Sequence, residues 1–166
     1  QPGSGFTFQA GCGSTLAAVC GLPVVHDFRA SDVALGGQGA PLVPIGDRLL
    51  FGDQAACLNL GGIANISYEK SGKRVAYDVS PCNLLLNHLA QRLGKSYDAG
   101  GGLSRAGRCE QSLLEKLNGA DYYKRPFPKS LGREDVEREF LPLLQHVPET
   151  KDALATVCEH IADQIA

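Results

Sequence analysis

The stretch from Cys57 to Val79 constrains this chain more than any other part of it. CLNL, IANISYE and RVAYDV are short runs rich in Leu, Ile, Val and Tyr, separated only by Gly61-Gly62 and Ser71-Gly72. Links that short cannot carry a crossover, so neighbouring strands must run antiparallel and a three-stranded meander is predicted. The diglycine junction has a second property. Without Cβ atoms, its backbone N–H groups can approach a phosphate closely. The third strand ends with a lone carboxylate, Asp78. A strand-end carboxylate facing a glycine-lined turn sets a proton acceptor beside a phosphate cradle, which is the pairing phosphoryl transfer requires.

Around the meander the pattern is helical and mixed. Leu84, Leu85, Leu89 and Leu93 give residues 83–93 a helical apolar stripe, closed by Gly94. From Leu103 to Ala166 the reading is mostly helix: SLLEKLN, REDVEREFLPLLQHV and a terminal helix, while the basic stretch at residues 124–129 is read as a solvated loop, with phosphate contact as the alternative. Upstream, Phe6 to Gln9 reads as a strand, TLAAVC as a helix capped by Ser14 and Gly21, and Pro23 to His26 as a second strand. That strand delivers Asp27, Phe28 and Arg29 to a loop rich in Gly and Pro, and residues 36–46 mark a binding loop, an interdomain passage or both. The class is α/β.

Composition excludes several functions. Lys and Arg number 16 against 18 Asp and Glu, a net charge of -2 with no basic stripe, so nucleic acid is not an expected partner. No apolar run reaches the roughly 18 residues of a membrane span, and a soluble chain is expected. The six cysteines, at 12, 20, 57, 82, 109 and 158, show no C-x-x-C spacing, and no metal ligand set is expected. Their apolar neighbours suggest small buried thiols in a reducing, cytoplasmic compartment. His26, His88, His146 and His160 are scattered, and all four are read as structural. The chain starts at Gln1, contains no Met, and its last apolar helix meets no stop signal, so it reads as a piece of a longer protein.

Several segments in order resemble one family. FTFQAG at Phe6, VVHDFRASDVALGGQGAPLVP, LLFGD, LNLGGIANIS, YDVSPCN, YDAGG and PKSLGRE at Pro128 are similar to anhydro-N-acetylmuramic acid kinases, members of the sugar-kinase, Hsp70 and actin superfamily. The resemblance implies a partial actin-like, ribonuclease-H-like ATPase fold. Residues 1–50 would end the first lobe and residues 51–166 would begin the second. It also implies a cytoplasmic enzyme of peptidoglycan recycling that uses ATP and Mg2+, with the metal's ligands outside this chain. Its substrate would be 1,6-anhydro-N-acetylmuramic acid, opened by water and phosphorylated on O6.

By the same resemblance the catalytic aspartate falls on Asp78, for which a cap of the following helix is the structural alternative. Arg29, Gln38 and Asn83 would contact the sugar; Asn59, Gly61, Gly62 and Asn65 would face the ATP phosphates. For Arg29 a salt bridge to Asp27 or Asp32 is the alternative, and for Gly61-Gly62 a plain hairpin turn. The family pattern Asp-x-Gly-Pro-Gly-Asn is altered here, with Ser80 and Cys82 at the glycine positions and Asn87 where many relatives carry Asp. If those glycines need positive φ, Ser80 and Cys82 would be strained.

Two further readings compete. One is a truncated, non-catalytic relative serving as a sugar-binding or assembly module, and residues 1–166 taken alone are expected to be inactive. The other is a glycosidase-like set of Asp27, Asp32 and Asp78. An open sheet edge and an uncovered apolar face would favour a homo-oligomer.

Overall fold

The computed structural model describes residues 10–37, 39, 42–127, 129–145 and 147–166. The predicted strand at Phe6 to Gln9, Gln38 and His146 lie outside them. Strands β1 (Ala56–Leu60), β2 (Ile63–Lys70) and β3 (Lys73–Pro81) form one antiparallel sheet in the order β1-β2-β3. The predicted meander is therefore present, with β3 running two residues past Val79.

Helix α4 (Asn83–Arg92) follows directly, and Gly94 takes the left-handed conformation at φ 70. Its buried positions, Leu85 and Leu89, are one turn apart and so share a face. Beyond it come α5 (Gly102–Arg105), α6 (Gln111–Asn118), α7 (Arg133–Asp135), a π-helical turn at Val136–Phe140, α8 (Leu141–Leu144) and α9 (Thr150–Ile165). Pro142 has no N–H to donate back into the preceding turn, and the π-helical stretch lies where that bond would be missing.

The core is built from these elements. Ala153, Leu154, Val157 and Ile161 of α9 meet Leu85 and Leu89 of α4, Leu113 and Leu117 of α6, and Phe140 and Leu144, with Ala64 and Val79 from the sheet. Among the described residues none before Ala64 is a buried member of this cluster, although half-buried Ile63 packs against it.

The N-terminal segment differs from expectation. Helix α1 (Gly13–Cys20) ends as predicted, with Gly21 at φ 65, but Cys12 rather than Ser14 occupies its N-cap. Pro23 to His26 form no strand, since they find no ladder partner among the described residues. Asp27 instead takes a left-handed turn at φ 66 and starts helix α2 (Phe28–Ala34). Pro44 opens a further helix, α3 (Pro44–Leu50), where its missing N–H costs nothing. Large apolar side chains here are exposed, including Val19, Val25, Leu35 and Leu49, and Val33 alone is buried among the described apolar residues up to Phe51.

The cysteines also depart from the reading. All are free thiols, but only Cys82 is buried and Cys57 half-buried, the other four being exposed. No described helix is long and apolar enough to cross a membrane.

His160 is structural, as expected. It is fully buried on α9, its Nδ1 facing the Asn118 side-chain oxygen and its Nε2 lying 2.8 Å from the Tyr123 hydroxyl. The Asn118 oxygen can only accept, so Nδ1 carries the proton and the Tyr123 hydroxyl donates to Nε2. Burial pushes the imidazole from 6.5 down to about 4. The unfolded chain takes up this proton first as pH falls, so the fold loses stability from about pH 6.5 down to about pH 4. Urea midpoints measured across that window should fall, and a His160→Gln variant should lose this part of the slope.

Candidate active site

Asp78 lies at a β-bulge. Ala64 pairs with Ser80 and Asn65 with Asp78, so Val79 is the extra residue on β3. Bulges of this kind re-aim a side chain. Asn59 pairs with Asn65 across β1 and β2, which sets Asn59, Asn65 and Asp78 in one row across the sheet. Three residues chosen from the sequence are thus neighbours, from exposed Asn59 through half-buried Asn65 to buried Asp78.

Asp78 is 7% exposed. Its Oδ2 accepts the Leu131 backbone N–H at 2.8 Å, and its carbonyl accepts the Tyr122 hydroxyl at 2.6 Å. Burial pushes the carboxyl up from its ordinary range, and the Leu131 N–H holds it partly down. A buried carboxylate with a raised pKa is suited to taking a proton. It does not cap α4: Cys82 holds the N-cap, with no side-chain hydrogen bond there.

The turn between β1 and β2 is fastened to the start of α4. Asn83 donates from Nδ2 to the carbonyls of Leu60 and Gly61, each at 2.9 Å, and its backbone N–H donates to Gly61. The Gly62 carbonyl accepts from Cys82 and Leu84 at 3.0 Å. A trans peptide sends its N–H opposite to its C=O, so the N–H groups of Gly62 and Ile63 point away from α4. Neither glycine has positive φ, so the hairpin does not demand them for backbone conformation. What glycine provides is room: a Cβ on Gly62 would come within 3.3 Å of Leu84.

The substitutions Ser80 and Cys82 do not strain the loop in the way expected. Neither has positive φ, and Cys82 sits at φ -124. Ser80 is fully buried with its hydroxyl unpaired.

Arg29 forms no ion pair with Asp27 or Asp32. Its Nη1 donates to the Gly39 carbonyl, the Gly39 N–H donates to Asp32 at 2.7 Å, and Asp27 pairs with His26 at 2.8 Å. Arg29 thus folds the loop after α2 back onto that helix. Helix α3 reaches the sheet through Asp47, which accepts from the Ser67 hydroxyl, and through Arg48, 3.4 Å from Glu69. Ser67 lies two residues beyond Asn65 on β2, so α3 packs on the face that carries the row of Asn59, Asn65 and Asp78.

Sequence reasoning missed Tyr122, Lys129 and Leu131, and read residues 124–129 as a solvated loop. Lys124 is exposed as expected, but Arg125 is held by Asp135 and Glu139, and Lys129 is half-buried against aromatic rings. The aromatic and basic residues interleaved in YYKRPFPK were the available signal. Among the described residues no group of three His, Cys, Asp or Glu is gathered for a metal ion.

The described residues form a mixed α/β unit, a three-stranded antiparallel sheet packed against helices, and the family that this chain matches has the sugar-kinase and actin-like fold. Within it, the chain belongs to the anhydro-N-acetylmuramic acid kinase family, whose model matches residues 1–166. Curated relatives carrying that name include proteins from Aliivibrio fischeri (40% identical over 96% of this chain), Gloeobacter violaceus (41% over 94%) and Gluconobacter oxydans (37% over 100%). The matched regions make up 47%, 44% and 48% of those relatives, so the chain spans about half their length.

Proposed function

We propose that this chain carries the base of an ATP-dependent kinase that opens 1,6-anhydro-N-acetylmuramic acid and phosphorylates O6, a step of peptidoglycan recycling. The observation that carries the reading is Asp78: buried, raised in pKa and re-aimed by a bulge in a chain of this family. Asp78 takes a proton from water, and the water oxygen bonds to C1 as the C1–O6 bond breaks. O6 takes the γ-phosphoryl group of ATP and ADP leaves. The outward N–H groups of Gly62 and Ile63 would receive ATP phosphate oxygens, with Asn59 and Asn65 beside them. Asn83 holds that turn in place and stands next to the sugar.

Arg29 would bind the lactyl carboxylate of the sugar through guanidinium nitrogens not given to Gly39. Gln38 belongs to the same pocket by resemblance. Residues 1–50 would be the C-terminal part of the first lobe, and residues 51–166 the N-terminal part of the second. Mg2+ accompanies ATP in kinases of this class. The described residues gather no set of ligands for it, and no step above is assigned to the ion.

The test is sugar-dependent ADP release by a protein of the relatives' full length that contains residues 1–166. Turnover with the 1,6-anhydro sugar, and none with buffer alone, is expected; ATP hydrolysis indifferent to the sugar would contradict the reading. Gly61→Ala separates turn from cradle. A Cβ there meets nothing closer than 3.5 Å and φ is not positive, so the melting temperature should hold. KM for ATP should rise about tenfold with kcat little changed, the mark of lost ground-state binding.

A further inference from the structure

The segment from Tyr122 to Leu131 grips Asp78 at two points. The Tyr122 hydroxyl holds its backbone carbonyl and the Leu131 N–H holds its carboxylate. Between those two residues in sequence lies Lys129. Its Nζ stands 4.7 Å from the centre of the Tyr122 ring, 5.1 Å from that of Phe127 and 5.6 Å from that of Tyr123. It makes no salt bridge among the described residues, because Asp135 and Glu139 are taken by Arg125 and Arg138. An ammonium facing three ring quadrupoles is attracted to all of them, and more strongly where water is reduced.

We propose that Lys129 is a positioning residue for the reaction: its ammonium, seated among Tyr122, Tyr123 and Phe127, fixes residues 129–131 so that the Leu131 N–H stays on the Asp78 carboxylate. The proposal rests on the reading of Asp78 as the base. The same ring of Tyr122 that receives the ammonium carries the hydroxyl bonded to Asp78, so one aromatic side chain joins the two grips. Phe127 is braced in turn by Tyr77, the residue before Asp78, at 4.7 Å between ring centres.

The charged and titratable groups around Asp78 are few. Tyr122 and Tyr77 stay protonated where a carboxyl titrates, burial pushing both upward. Arg125 stays charged between Asp135 and Glu139, and burial together with Arg125 pushes Lys129 down. An unmade Leu131 bond removes the interaction that favours the Asp78 anion, so its titration should move up.

The experiment follows Asp78 itself in the same full-length protein, by carboxyl-carbon NMR titration with the signal assigned through Asp78→Asn, together with amide exchange at Leu131 and the acid limb of kcat/KM. Lys129→Met removes the ammonium; Phe127→Leu keeps it but removes an exposed ring. Both should speed Leu131 exchange about tenfold and raise the Asp78 midpoint by about half a unit or more, with Lys129→Arg close to the parent. Unchanged Leu131 exchange in both variants overturns the proposal. So does a midpoint that moves in Lys129→Met alone while Leu131 exchange stays fixed, because that is a plain charge effect. If both NMR readouts move but Asp78→Asn retains full turnover, the positioning stands and the assignment of Asp78 as base fails.

Discussion

Asp78→Asn should lower kcat/KM for sugar-dependent ADP release by about 10²–10⁴-fold, the usual worth of a positioned general base. Asn keeps the shape and an oxygen able to accept the Leu131 N–H, so geometry survives while the proton acceptor is lost. Stability should move the other way. The folded-state pKa of Asp78 is raised, so its contribution to stability is present at low pH and is lost as pH rises through the folded value. Burial disfavours the Asp78 anion, so at neutral pH the Asn variant should be at least as stable as the parent by urea unfolding. Loss of activity without loss of stability marks a residue kept for chemistry. A variant that loses both would place Asp78 among the structural residues.

Leu85→Ala should destabilise the fold by about 2–5 kcal/mol, read as a lower urea midpoint. Leu85 is fully buried on α4 and belongs to the cluster in which α4, α6 and α9 meet the sheet. Its removal leaves a cavity two residues from Asn83, whose amide fastens the Gly61–Gly62 turn, so KM for ATP should rise as well. A midpoint shift under about 0.5 kcal/mol, the size of a surface substitution, would mean that the core is not where it is described.

Much of this was legible in the sequence, for reasons that differ by element. The meander could be read because Gly61-Gly62 and Ser71-Gly72 leave room for nothing but tight turns between alternating runs. Helices α4 and α9 could be read because their leucines and valines recur at helical spacing over two turns or more. Helices α2 and α3 were missed because each spans only seven residues with one or no buried side chain. Val24 and Val25 read as a strand on β-propensity, yet a strand exists only with a partner, and none lies among the described residues.

The site divides in the same way. Asn59, Asn65 and Asp78 came together because strand pairing follows from local turns. The Leu131 N–H on Asp78 comes from 53 residues away, and no spacing rule reaches that far. Lys129 looked like a surface lysine for the same reason: its rings are neighbours in space through a loop, not through periodicity. The expectation for Ser80 and Cys82 failed because it took glycine in relatives to mean positive φ, which neither residue adopts.

The most direct measurement is turnover of the 1,6-anhydro sugar by the same full-length protein in water enriched with the heavy oxygen isotope, quenched before the anomeric oxygen exchanges and analysed by mass spectrometry. One heavy oxygen is expected in the sugar 6-phosphate, located at C1 and absent from the phosphoryl group, with the label's appearance slowed by about 10²–10⁴-fold in Asp78→Asn. Heavy oxygen in released phosphate, or a phosphorylated sugar whose anhydro bridge is intact, would contradict it.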